Sequence, residues 1–104
     1  MAPAHDPPHS ERVRLVIALT EANSRHLSGQ NRRFGLELVI ARVLEDAEQA
    51  DAPAGPAEQL AMLREDLAAA EAALVLIEEE QIELYAALDA LDGALDGALD
   101  APGE

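Results

Sequence analysis

Leucine and isoleucine recur every three or four residues between residues 60 and 98, and this repeat constrains the fold more than any other feature of the chain. With Leu60 at position a of a heptad, eleven of the twelve a and d positions are apolar. The twelve are Leu60, Leu63, Leu67, Ala70, Leu74, Ile77, Gln81, Leu84, Leu88, Leu91, Leu95 and Ala98. A period of 3.5 residues puts such side chains on one narrow face of a helix, which packs against another helix. The repeat predicts an all-α fold.

Composition agrees with this prediction and limits the chemistry. The chain has 104 residues, two aromatic residues (Phe34 and Tyr85) and no cysteine. Strands draw on aromatic and β-branched residues, so their scarcity favours helices. A chain of this length forms one domain at most and encloses no large active site. Without cysteine, disulfides and thiolate metal sites are excluded.

The acidic charge argues against nucleic acid as a direct partner. Twenty-one acidic residues oppose seven arginines, and the net charge is −14. Binding to a phosphate backbone draws on clustered cations, which this chain lacks. The charge is explained either by the solubility of an Ala- and Leu-rich surface or by contact with a basic partner.

No segment is long and apolar enough to predict a membrane span. The longest apolar runs, residues 15–19 and 72–77, are far shorter than the ~18–20 residues that a bilayer requires. Residues 1–9 contain three prolines and no apolar core of a signal peptide. We therefore expect a disordered leader at 1–9 and a cytoplasmic protein.

Proline and glycine divide the remaining chain into two long helices. Ser10 is a candidate N-cap for helix 1, predicted over about 11–50. The turn at 51–56 contains Pro53, Gly55 and Pro56, which end one helix and suit the start of the next. Helix 2 is predicted over about 56–91, and 93–104 form a low-complexity acidic tail. The domain at 10–92 is therefore predicted to be an antiparallel helical hairpin.

The face of helix 1 that meets helix 2 is predicted from its apolar spacing. That stripe consists of Val13, Val16, Leu19, Leu27, Phe34, Leu38, Ala41 and Leu44. Antiparallel pairing of the two helices would place Arg32 and Arg33 opposite roughly residue 74. Helix 1 is either continuous or broken near Ser28 and Gly29, where helix propensity is low. The predicted helix–helix interface is Leu60, Leu63, Leu67, Leu74, Ile77, Gln81, Leu84, Leu88, Leu91, Phe34 and Leu38.

Charge and leftover apolar residues predict how hairpins associate. Residues 11–50 carry six acids and six arginines, whereas 55–92 carry ten acids and one arginine, so helix 1 suits helix 2 better than a second helix 2 does. Further apolar residues lie off the two stripes: Leu15, Ile17, Val39, Ile40, Val43, Val75, Leu76 and Ile82. Two helices alone cannot bury these residues. A homodimer that forms a four-helix bundle would bury them, and so would docking on a different protein.

Gln81 is the polar exception on the a and d positions. A polar residue there fixes register and oligomeric state at some cost in stability. In the predicted hairpin Asn23 or Ser24 would lie close to it. Alternatively, the Gln81 amide reaches the edge of the bundle.

Residues that could support catalysis or bind a metal are not arranged for either task. His5 and His9 are separated by Pro7 and Pro8, which we expect to prevent the helix that would pair them on a metal. Four acids at 78, 79, 80 and 83 have no apolar enclosure and are expected to be a solvated face. We expect no enzyme activity and no cofactor.

Residues 85–89, Tyr85-Ala86-Ala87-Leu88-Asp89, place an acid four positions after a tyrosine. With the hairpin and the length, this pentad resembles the small Trp-Xaa-Gly proteins of type VII secretion, whose tails carry a Tyr-Xaa-Xaa-Xaa-Asp/Glu signal. The resemblance implies an exported helical hairpin. The turn of this chain, at 52–56, lacks the Trp-Xaa-Gly motif that defines that family.

The sequence favours a non-enzymatic protein–protein interaction module: an adaptor, an assembly factor, a small chaperone or a structural subunit of a complex. Two alternatives are a secreted hairpin of type VII-like export and an acidic inhibitor or antitoxin that mimics nucleic acid. The partner is expected to be protein, either a second copy or a larger complex.

Overall fold

The computed structural model describes residues 7–50 and 55–100, with side chains over 9–49 and 56–94. Helix α1 spans Pro7–Ala50 and helix α2 spans Gly55–Asp100. The two helices pack against each other, and the described residues contain no strand. The predicted fold class, an all-α helical hairpin, is confirmed.

Both helices are longer than the sequence predicted. Helix α1 begins at Pro7 and not near Ser10, and Pro8 also lies in its first turn. Prolines are tolerated there because the first N–H groups of a helix have no intrahelical acceptor. His5 lies outside the described residues, so the expectation that the prolines prevent a helix pairing His5 with His9 stays a prediction. Helix α1 continues through Ser28 and Gly29 without a break.

Helix α2 also extends past its predicted end. It begins at Gly55 and continues through Gly93 to Asp100, which includes most of the predicted acidic tail. Residues 51–54 of the predicted turn lie outside the described residues. So do residues 1–6 of the predicted leader and residues 101–104 of the tail.

The hairpin divides into two compact units. The terminal unit comprises Met1–Ser24 and Glu78–Glu104, and the central unit comprises Arg25–Ile77. Each unit therefore contains one segment of α1 and one segment of α2.

The inner face of α2 coincides with the heptad positions in the sequence. Every a and d residue from Leu60 to Leu91 is buried or half-buried. Between residues 57 and 94, Glu80 and Asp92 are the other α2 side chains that are not exposed. Leu74, at the middle of the stripe, is 3% exposed. The side chains of Leu95 and Ala98 lie outside the described residues.

The inner face of α1 differs from the predicted one. Apart from Glu11, Ala18 and Gly35, its buried and half-buried residues alternate at spacings of four and three residues: Leu15, Leu19, Ala22, His26, Gly29, Arg33, Leu36, Ile40, Val43 and Ala47. Leu19 is the one residue shared with the predicted stripe. Phe34 and Leu38, assigned to the helix–helix interface from the sequence, are 61% and 56% exposed.

The close approach of Gly29 to Leu74 explains why α1 turns a less apolar face inward. A Cβ atom added at Gly29 would lie 2.7 Å from Cδ2 of Leu74, which is closer than real contacts allow. The missing side chain of Gly29 thus leaves the space that Leu74 fills. The sequence placed Arg32 and Arg33 opposite roughly residue 74, and in the structure Gly29, about one helical turn earlier, lies beside Leu74.

We predict that Leu74→Ala destabilises the hairpin far more than Leu76→Ala does. The first variant leaves a cavity beside Gly29 and should lower the free energy of unfolding by about 2–5 kcal/mol. Leu76 is 67% exposed, so its truncation should cost less than about 0.5 kcal/mol. Urea denaturation followed by circular dichroism measures both. Equal losses would show that the inner face of α2 is assigned incorrectly.

Gly29→Ala and Gly93→Ala should change stability in opposite directions. Alanine stabilises a helix interior by up to about 1 kcal/mol relative to glycine, and a Cβ at Gly93 meets no atom within 4 Å. At Gly29 the same Cβ collides with buried Leu74, and such overpacking costs about 1–3 kcal/mol. Thermal melts at one protein concentration should show a higher Tm for Gly93→Ala and a lower one for Gly29→Ala. A Tm increase in both variants would contradict the close packing.

Candidate interaction surface

Gln81 and Asn23 form a polar contact between the two helices of the terminal unit. The Gln81 Nε2 group donates a hydrogen bond of 2.7 Å to Oδ1 of Asn23. Gln81 is half-buried at its a position, and this bond gives its amide a partner on the facing helix. Sliding one helix along the other would break the bond, so the pair favours one register.

Ion pairs in the terminal unit lie at its surface. Arg12 Nε donates to Oδ1 of Asp92 at 2.9 Å, and both side chains are partly exposed. Exposed pairs contribute about 0–1 kcal/mol, so this one favours the antiparallel pairing without being a main source of stability. Within α1, Arg14 Nε donates to Oε1 of Glu11 at 3.1 Å. Hydrogen bonding to Arg14 lowers the pKa of the Glu11 carboxyl below its ordinary value.

Arg33 is a polar residue on the inner face of the central unit. Its side chain is half-buried, and its Nε atom is inaccessible and has no hydrogen-bond partner among the described residues. Arg33 is therefore a polar exception on the inner face of α1, as Gln81 is on α2.

Large apolar side chains lie exposed on both units. In the terminal unit they are Val13, Val16, Ile17, Ile82 and Tyr85. In the central unit they are Leu27, Phe34, Leu38, Val39, Leu44, Met62, Val75 and Leu76. Most of those on α1 belong to the stripe that the sequence assigned to the helix–helix contact. We call Leu27, Phe34 and Leu38 the outer face of α1.

The balance of buried and exposed apolar residues is unusual for a monomer. Thirteen large apolar side chains are exposed and five apolar residues are buried among those whose side chains are described. Exposed apolar side chains in this number mark surface that a partner can cover.

Two hollows lie on the central unit, the first beside the outer face of α1 and the second where α1 meets the start of α2. One, of about 330 Å³, is lined by Gly35, Leu38, Val39 and Arg42. The other, of about 430 Å³, is lined by Val39, Arg42, Val43, Asp46, Ala47, Pro56 and Gln59. Both are open to solvent and mostly apolar. Such hollows suit an apolar side chain of a partner better than a small polar substrate.

The residues considered for chemistry remain apart from any enclosed site. Glu78, Glu79 and Glu83 are exposed and Glu80 is half-buried. His9 is exposed and His26 is half-buried, whereas His5 lies outside the described residues. No three metal-binding side chains come together within the part of the chain that the structure describes.

Comparison with known proteins identifies no function, so function is inferred from the surfaces described above. No protein-family model, curated protein or solved structure matches the chain. Over the described residues, neither helix combines the length and the apolar character needed to cross a bilayer.

A double-mutant cycle on Asn23 and Gln81 should show that they interact. We expect Asn23→Ala and Gln81→Ala to be less than additive, with a coupling free energy of about 0.5–1.5 kcal/mol from the lost hydrogen bond. Urea denaturation of the two single variants and the double variant measures this quantity. Ser24→Ala with Gln81→Ala serves as the control pair and should be additive. A coupling near zero for Asn23 and Gln81 would mean that the bond is not formed in solution.

Proposed function

We propose that the protein is a non-enzymatic protein–protein interaction module, a helical hairpin that works by associating with other protein chains. The observation that carries this proposal is the row of exposed large apolar side chains on helices whose inner faces are already occupied. Exposed apolar patches of this extent mark interaction sites in soluble proteins. Adaptors, assembly factors and structural subunits of complexes use such helical surfaces.

The open character of the hollows supports binding over catalysis. Enzyme sites bring a few polar groups together in an enclosed pocket, where burial and neighbouring charges shift their pKa values. The groups whose pKa is shifted among the described residues, Glu11 and Arg14, lie exposed at the surface of α1. Their shifts come from their hydrogen bond to each other and require no further role.

Self-association into a four-helix bundle is the form of interaction that we favour. A standard interface buries about 800 Å² per partner, and the exposed large apolar side chains of the hairpin offer apolar surface for such a contact. In such a bundle a helix can bury a second face, which would cover apolar residues that the hairpin leaves exposed.

Sedimentation equilibrium of the full chain at micromolar concentrations should report a dimer or a larger species. Association through apolar surface should persist at high salt, and the Tm should rise with protein concentration by mass action. A matched series in which only protein concentration varies provides the control. A folded monomer with a Tm that does not change with concentration would contradict self-association.

A further inference from the structure

We propose that a second copy of this chain docks on the outer face of α1, with Phe34 of each copy seated in the hollow formed by Gly35, Leu38, Val39 and Arg42 of the other. This inference rests on the proposed function and specifies its contact. It assigns the dimer to α1 packing on α1, and leaves the exposed face of α2 accessible.

The side chain and the hollow that would receive it are neighbours on one helix. Phe34 is 61% exposed. Beside it, a Cβ at Gly35 would meet no atom within 4 Å, and the hollow that Gly35 lines measures about 330 Å³. A surface that carries both a projection and a matching hollow is self-complementary, which is what a two-fold symmetric interface requires. Phenylalanine has no polar group that would prefer water, so burial favours it throughout.

The spacing along α1 fits this symmetry. Phe34 and Leu38 lie about one helical turn apart, so a two-fold axis near residue 36 would bring Phe34 against the partner's Leu38 in an antiparallel crossing. Leu27 lies on the same side of α1, because seven residues are close to two helical turns. Phe34 and Leu38, each exposed in the single chain, would then be paired with Leu38 and Phe34 of the second copy.

The charges of the two helices favour α1, and not α2, as the helix that packs against the same helix of the second copy. Residues 25–50 carry four arginines and four acids, so this segment is neutral. Residues 55–77 carry four acids against Arg64, and residues 78–100 carry eight acids and no cation. Like-charge juxtaposition opposes association, so two copies of α2 would repel each other where two copies of α1 would not.

The first test compares Phe34→Glu with Leu76→Glu in the full chain. Both replace a large exposed apolar side chain with a carboxylate, one on α1 and one on α2. Sedimentation equilibrium should give a dimer Kd at least about 30-fold weaker for Phe34→Glu, as for a central interface residue, and changed less than about 3-fold for Leu76→Glu. Circular dichroism of each variant checks that the hairpin is intact.

The second test, Gly35→Leu, separates a shaped contact from general hydrophobicity. If the chains associate through general hydrophobicity, the added leucine should strengthen the dimer. If Phe34 sits in the hollow, the leucine fills that space and should weaken the dimer at least about 10-fold. Gly93→Leu adds the same side chain on α2 and should leave the Kd unchanged. If Phe34→Glu fails to fold, the comparison of Gly35→Leu with Gly93→Leu still tests whether the hollow on α1 forms the dimer contact.

The outcomes distinguish the inference from the proposed function. A wild-type dimer that survives Phe34→Glu and Gly35→Leu but dissociates with Leu76→Glu would overturn the α1 contact and leave the interaction module in place. A wild-type chain that is monomeric throughout would overturn self-association itself. Selective dissociation by the two α1 variants supports the proposal.

Discussion

The packing of Leu74 against Gly29 is the contact on which the rest of the central unit depends. An α2 face of leucine and isoleucine needs space, and α1 supplies it by carrying small residues inward at Ala22 and Gly29. Large side chains on one helix and small ones on the other allow a close approach without voids. This arrangement frees α1 to direct its own large apolar side chains outward.

Exposed apolar side chains on α1 would link stability to association. Leu27, Phe34 and Leu38 face solvent in the single hairpin and contribute little burial to its stability. A partner that covered them would stabilise the folded state by mass action. In the dimer proposed above, apolar packing would therefore support both the fold and the assembly.

The sequence predicted the inner face of α2 well because one period runs through it from Leu60 to Leu91. Large apolar residues off that stripe, such as Val75, Leu76 and Ile82, are fewer, and the structure turns the stripe inward. On α1 two faces compete. Phe34 and Leu38 are more hydrophobic than Gly29 or Arg33, so a prediction based on apolar spacing selects the outer face. The inner face is instead selected by size complementarity between Gly29 and Leu74, which can be recognised only when the two helices are placed together.

The part of the candidate surface that the sequence did predict is the polar exception. Gln81 stood out because it interrupts an apolar stripe, and Asn23 is its partner. The hollow beside Gly35 could not be predicted in this way, because a glycine in a helix is equally compatible with a bend, a close contact or an open space. Gly29 makes a close contact with Leu74, whereas a Cβ at Gly35 would meet open space. The difference lies in the side chains that surround each glycine.

The single tyrosine gives the molecule a built-in optical reporter of only one of its units. The chain has no tryptophan, and Tyr85 lies half-exposed on α2 within the terminal unit. Its fluorescence therefore responds to the surroundings of that unit, whereas circular dichroism sums over both helices. Coincidence of the two signals during denaturation would mark a single cooperative transition, and separation would reveal that the units melt independently.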